Sequence, residues 1–147
     1  MNQNILDFGA AADGQTLCTA AIQKAVDACA STGGGYVYVP QGKFVSGTIM
    51  LRSNVYLYLC PGAYLLGSMD FADYYSTEKS SAFGGALEHQ LGLENCRSEA
   101  LILAEDVENC GILGEGEADC RRNKDNFSDP VVGKPFLVLF SHCRRVK

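Results

Sequence analysis

Three stretches, "SNVYLYL" at residues 53–59, "VENCGILGEG" at 107–116 and "HCRRVK" at 142–147, read as degenerate copies of one unit, a polar corner leading into an alternating strand. Repetition of this kind is what a solenoid produces, because each coil pairs with its neighbours and turns at the same places. The strands share a period of two. Val37 and Val39 oppose Tyr36 and Tyr38, Ile49 and Leu51 follow, and Val55, Leu57 and Leu59 oppose Tyr56 and Tyr58. Turn chemistry at "PQGK", "RSN" and "CPGA" separates these runs, and further strand-like pieces lie at 64–66, 101–103, 111–113 and 136–140. Short strands at such intervals also suit a sandwich or a barrel. The repetition favours an all-β solenoid.

A helix precedes the strands. Ala21, Ile22, Ala25, Val26 and Cys29 recur at helical spacing, with Gln23, Lys24 and Asp27 on the other side, which predicts a helix over about 16–31 and coils from 36 onward. Thr16 or Thr19 is placed to cap its start, and Gly33, Gly34 and Gly35 supply the left-handed backbone that ends it. A phosphate cradle would need the glycines to follow a strand and open a helix; here they follow the helix, at its negative end. The apolar face of so isolated a helix is suited to covering the open end of the first coil.

Seventeen acids against twelve bases give a net charge of −5, which removes the positive field that nucleic-acid binding needs. The longest apolar stretches, "VYLYLCPGAYLLG" and "PFLVLF", are too short and interrupted to span a bilayer, and the start of the chain lacks the basic and apolar run of a signal peptide. The location expected of the chain as written is cytoplasmic, or secreted or periplasmic if a signal was removed. Seven scattered cysteines, Cys18, Cys29, Cys60, Cys96, Cys110, Cys120 and Cys143, fit reduced core thiols better than a zinc site or a disulfide framework. Residues 1–147 read as a single domain, from which long loops leave at 69–99 and 119–135; loops of that length in a compact domain are more often functional than ornamental.

In order along the chain come Asp13-Gly14, "AIQKAVDAC", the glycine run, "VYVPQGKF", "SGTIMLRSNV" and "GAYLLGSMDFADY", and later "EALILAEDVENCGILGEGEADC". This succession resembles the N-terminal part of the polygalacturonase-type glycoside hydrolases. The resemblance implies a right-handed parallel β-helix with an N-terminal capping α-helix, hydrolysis of galacturonate linkages in pectin by carboxylates, and no cofactor. The family's glycine, any, glycine, any, isoleucine, aspartate, glycine pattern is met in part: Gly114, Gly116 and Asp119 are kept, while Ala118 and Cys120 stand where isoleucine and glycine are usual. Its four catalytic motifs, an Asn-Thr-Asp, an Asp-Asp pair, a Gly-His and an Arg-Ile-Lys, do not occur, so no catalytic residue is expected here and the chain alone is expected to be inactive.

Within the chain, Glu115, Glu117 and Asp119 share one face of a strand, but an acidic run of this kind more often forms a solvated turn face than an acid-base pair. Arg121, Arg122 and Lys124, with Arg144, Arg145 and Lys147, concentrate positive charge in an acidic chain, and arginine forks suit the carboxylates of a polyuronate, so Arg121, Arg122, Lys124, Arg144 and Arg145 are the substrate-binding candidates. Tyr36, Tyr38, Tyr56 and Tyr58 suit either a sugar-stacking platform or packing beneath the helix or long loops. His89 lacks a nucleophile nearby, and His142 and Cys143, as strand neighbours, face opposite ways. No metal site is expected. The partners expected are pectic or other acidic polysaccharide, with no nucleic acid and no membrane, and a second copy of the chain through an open C-terminal coil at 136–140. The alternative function is a non-catalytic β-solenoid module that binds acidic polysaccharide or a protein.

Overall fold

The structure, a computed structural model, describes residues 1–75, 99–121 and 135–147. Its strands are β1 (Gln3–Asn4), β2 (Asp13–Leu17), β3 (Gly35–Val39), β4 (Gly42–Ser46), β5 (Ile49–Met50), β6 (Val55–Leu59), β7 (Ala63–Gly67), β8 (Ala100–Glu105), β9 (Gly111–Gly114), β10 (Glu117–Asp119) and β11 (Phe136–Ser141), with helix α1 (Thr19–Ser31) between β2 and β3. They stack into three sheets: sheet A in the order β1-β3-β6-β9, sheet B in the order β10-β7-β4-β2, and sheet C in the order β11-β8-β5. Every paired strand is parallel to its partner. One strand of each sheet per turn makes a coil: β3, β4 and β5, then β6, β7 and β8, then β9, β10 and β11.

Register aligns like with like. Val37 and Val39 sit beside Leu57 and Leu59 on the inner side of sheet A, while Tyr36 and Tyr38 sit beside Tyr56 and Tyr58 on the outer side. Phe44 of β4 adjoins Leu65 of β7. These inward side chains form one core with Ile49, Leu51, Leu101 and Ile102. Fully burying each such side chain contributes roughly 1.5–3 kcal/mol, so the solenoid interior is the main source of stability.

Helix α1 contributes Ile22, Ala25, Val26 and Cys29, all fully buried, to the same core. Its start differs from the expected one. Thr16 belongs to β2, Cys18 holds the cap position without a side-chain cap bond, and the Thr19 hydroxyl instead accepts from the Gly47 amide at 2.7 Å. The glycines end the helix as expected: Gly33 donates to Ala30 O at 3.1 Å and Gly34 to Cys29 O at 2.9 Å, with φ of 94° and 97°. Gln23, read as solvent-facing, accepts from the Met50 amide at 2.8 Å and donates to its carbonyl at 3.0 Å. It thereby satisfies the free edge of β5, the outermost strand of sheet C.

Two further boundaries move. The stack begins before residue 36, because β1 and β2 pair with β3 and β4. The second long loop leaves after Asp119, which closes β10, so 119 belongs to the coil. Residues 69–75 of the first loop include a short 3-10 turn at Phe71–Asp73, and residues 76–98 and 122–134 lie outside the described residues.

Candidate functional site

Both long excursions leave from one corner, between sheets B and C. In the first coil that corner is only Gly47 and Thr48; in the next two it is residues 68–99 and 120–135. The root of the first excursion folds back onto the corner below it. Ser68 donates from its amide to Ser46 O at 2.7 Å, and the Tyr75 amide donates to the Thr48 hydroxyl at 2.8 Å. The Ser68 hydroxyl donates to the Asp73 carboxylate. Buried Tyr74 donates its hydroxyl to Ser68 O at 2.7 Å. Burial, and next the Cys120 thiol, hold the Tyr74 phenol above its ordinary range, so it remains a donor. Gly67 is required beneath it: a Cβ there would lie 2.6 Å from the Tyr74 hydroxyl oxygen and 2.9 Å from Cys120 Cα.

Arg121 stands at the root of the second excursion. Its Nε donates to Gly67 O at 2.6 Å, and its amide donates to Asp119 Oδ1 at 2.7 Å. Arg144 and Arg145 stand at a different corner, between sheets C and A. Arg144 lies 3.9 Å from the Glu108 carboxylate, and Arg145 donates to Asn109 Oδ1 at 3.5 Å. The structure thus separates Arg121 from the C-terminal pair, while Arg122 and Lys124 lie outside the described residues. Glu117 and Asp119 face outward from β10 beside Tyr64 and Leu66, and Glu115 is exposed in the preceding turn. His142 is exposed and bonds Ser141 Oγ through Nδ1 at 3.0 Å, while Cys143 donates to Ala104 O at 3.3 Å. They form no dyad. His89 lies outside the described residues.

The four tyrosines form one cluster on the outer side of sheet A. Ring centroids of Tyr36 and Tyr56 are 5.9 Å apart, those of Tyr38 and Tyr58 5.5 Å, and those of Tyr36 and Tyr38 6.2 Å. Because Val37 and Val39 on the inner side share a core with α1, the tyrosines lie on the face opposite the helix. The sequence showed the tyrosines and arginines. It did not show Gly67, Ser68 and Tyr74 as one unit, although the strand-ending "LLGSMDFADY" ahead of a long insertion marks where such a root would be.

A family model described as rhamnogalacturonase A/epimerase, pectate lyase-like, matches residues 3–58. The chain is 38% identical over 116 residues, 79% of its length, to an exo-poly-α-D-galacturonosidase of Dickeya chrysanthemi, and spans only 19% of that protein. A Yersinia enterocolitica family 28 exopolygalacturonase superposes on 80% of this chain and 20% of its own, with a TM-score of 0.67 and 34% identity. A crystal structure from Parabacteroides merdae covers 99% of this chain and 61% of its own, with a TM-score of 0.77 and 26% identity. Three parallel sheets wound into stacked coils, with a helix closing one end, and these likenesses define a right-handed parallel β-helix of the pectin-lyase-like class. Within that class the chain belongs with the polygalacturonase-type glycoside hydrolases.

Proposed function

We propose that the chain is part of a polygalacturonase-like enzyme that hydrolyses galacturonate linkages in pectin or a related acidic polysaccharide. The observation that carries this is the 38% identity to the Dickeya galacturonosidase across 116 residues. In the same reading these 147 residues supply scaffold and loop roots, and the carboxyls that do the chemistry stand elsewhere. Hydrolysis of a glycosidic bond takes one carboxyl to protonate the leaving oxygen and a second to activate water or attack. Glu115, Glu117 and Asp119 are exposed on the outside of one coil, and Asp119 Oδ1 already accepts from the Arg121 amide.

The test is release of reducing ends from polygalacturonate. The 147-residue chain is expected to release none above buffer. If the coding sequence continues past Lys147, the extended protein is expected to release them, and its failure on polygalacturonate overturns the substrate reading. Turnover by the 147-residue chain that disappears in a Glu115→Gln, Glu117→Gln variant overturns the scaffold reading.

A further inference from the structure

The outer face of sheet A differs from the rest of this acidic molecule. Alternation and register put Asn4, Tyr36, Tyr38, Tyr56, Tyr58, Gly111 and Leu113 on it, and none carries a charge in a chain with net charge −5. Tyr36 is 39% exposed and the other three tyrosines are half-buried. Tyr36 is tilted by 33° to Tyr38 and 37° to Tyr56, while Tyr58 stands at 87° to it, so the cluster combines ring faces with an upright edge. Asn2 donates to the Tyr38 hydroxyl at 3.4 Å. At the strand-entry corner of this sheet, Asn54 and Asn109 join side chains at 2.9 Å, and the corner continues into Arg145 and Arg144. Arg144 is 82% exposed, with Glu108 as its neighbour.

These features have a common ligand chemistry. Aromatic faces attract the C–H faces of pyranose rings, tyrosine hydroxyls and asparagine amides bond sugar hydroxyls, and arginine forks pair with carboxylates. Parallel coils repeat about every 4.8 Å, comparable to the length of one pyranose unit. A chain lying along the solenoid axis therefore meets successive tyrosines with successive sugars. Among the described residues no strand position on this face carries a carboxylate, and Glu108 at its corner stands beside Arg144, which lowers the repulsion that an acidic chain meets there.

The geometry points to a strip on the outer face of sheet A that holds an acidic polysaccharide, with Tyr36, Tyr38, Tyr56 and Tyr58 against its pyranose rings and Arg144 and Arg145 on its carboxylates. The strip rests on the reading that this protein meets an acidic polysaccharide, and it is separate from the hydrolytic step.

Affinity electrophoresis of the 147-residue chain through gels containing polygalacturonate, alginate or neutral dextran tests it. Retardation by polygalacturonate and not by dextran is expected. A Tyr36→Leu, Tyr56→Leu variant and an Arg144→Ala, Arg145→Ala variant are each expected to weaken it at least fivefold, and Tyr36→Phe, Tyr56→Phe is expected to weaken it less than twofold. Leucine keeps an apolar strand former at each position. Should that variant still lose amide protection in β6, Tyr36→Leu alone, at the most exposed of the four rings, replaces it and is expected to weaken retardation at least twofold. Retardation that survives the leucine substitutions overturns the strip and leaves the acidic-polysaccharide reading standing. Wild-type chain that runs unretarded in polygalacturonate and alginate also overturns the strip, whereas failure of the reducing-end assay overturns hydrolysis without touching binding.

Discussion

Between sheets C and A the chain turns at Gly34, Asn54, Asn109 and Arg145, which follow one another coil by coil with φ of 97°, 64°, 53° and 53°. Between sheets B and C it turns once in two residues, while in the next two coils residues 68–99 and 120–135 connect the same two sheets. The first corner is bonded between coils along its backbone: Gly35 N to Asn54 O at 2.9 Å, Asn54 N to Glu108 O at 2.9 Å, Asn109 N to Arg144 O at 3.0 Å. Glycine and asparagine suit it because they adopt the left-handed region at least cost. An extra residue there would break every bond to the coils on both sides. The second corner keeps a backbone bond between coils, Ser68 N to Ser46 O at 2.7 Å, and is held besides by side chains of the excursion roots, Ser68, Tyr74 and Arg121. Both long excursions of this chain leave from the corner whose side-chain anchors belong to the excursion roots.

The sharpest way to break this comparison is a methyl group at each corner. A Cβ on Gly34 would lie 2.3 Å from Asn54 O with φ at 97°, and the offending atoms belong to the coil backbone. Strain and overpacking of roughly 1–3 kcal/mol each make Gly34→Ala cost about 2–6 kcal/mol in urea melts. A Cβ on Gly47 would lie even closer, 1.8 Å from Asp73 O, but Asp73 belongs to the excursion root. Gly47→Ala is expected to cost about 1–2 kcal/mol, with displacement of a surface turn in place of a coil, and to show as lost amide protection at Tyr75. Equal losses at both glycines would mean that the two corners are equally rigid.

Tyr74→Phe probes the second corner more gently. It removes the hydroxyl that reaches Ser68 O and leaves a buried carbonyl short of a donor, at a cost of about 1–2 kcal/mol. Protection should fall at Tyr74 and Tyr75 and stay unchanged in β6. Asn109→Ala probes the first corner on the same scale, losing the bond to Asn54 and placing alanine at φ 53°, again for about 1–2 kcal/mol. Asn109→Gly, which relieves the backbone and loses only the side-chain bonds with Asn54 and Arg145, should recover at least half of that.

The regular corner was legible in the sequence and the excursion root was not. "SNV" and "ENC" place a left-handed asparagine one residue before β6 and two before β9, and "YVYV" and "VYLYL" have the two-residue period of a strand with one face buried, so β3, β6 and the solenoid emerged from pattern alone. Strand β4 hides its period because Phe44, Val45 and Ser46 are all buried, Phe44 in the core and Val45 on the opposite face of the strand beside Leu17 and Leu66. In β2 the "DGQTL" run is nearly all exposed and its pairing with β4 shifts register, so it has no apolar signal. Gln23 read as a solvent residue because composition cannot show that a side-chain amide will complete a strand edge 27 positions away. The arginines were visible as charge, but their division between two corners follows from where β10 and β11 end.

The smallest expected effect belongs to a turn that uses neither plan. Asp13 accepts within its own four residues: from the Thr16 hydroxyl at 2.6 Å and from the Gln15 and Thr16 amides at 2.8 Å each. The Thr16 hydroxyl bond, followed by the two amide bonds, lowers its carboxyl from 3.8 to about 2. A carboxylate whose folded pKa lies below its unfolded value stabilises the fold above the unfolded value, and that contribution fades as pH falls from about 4 through about 2. The turn is exposed and local, so melts of wild type and Asp13→Asn should differ modestly at pH 6 and converge by pH 2. If the corner between sheets C and A depends on bonds between coils, its amides should keep their protection through this titration while those of Gln15 and Thr16 lose theirs. Loss of protection at Asn54 and Asn109 in step with Asp13 would show that the first coil is coupled to the ladder and that the corner is not the rigid element of the pair.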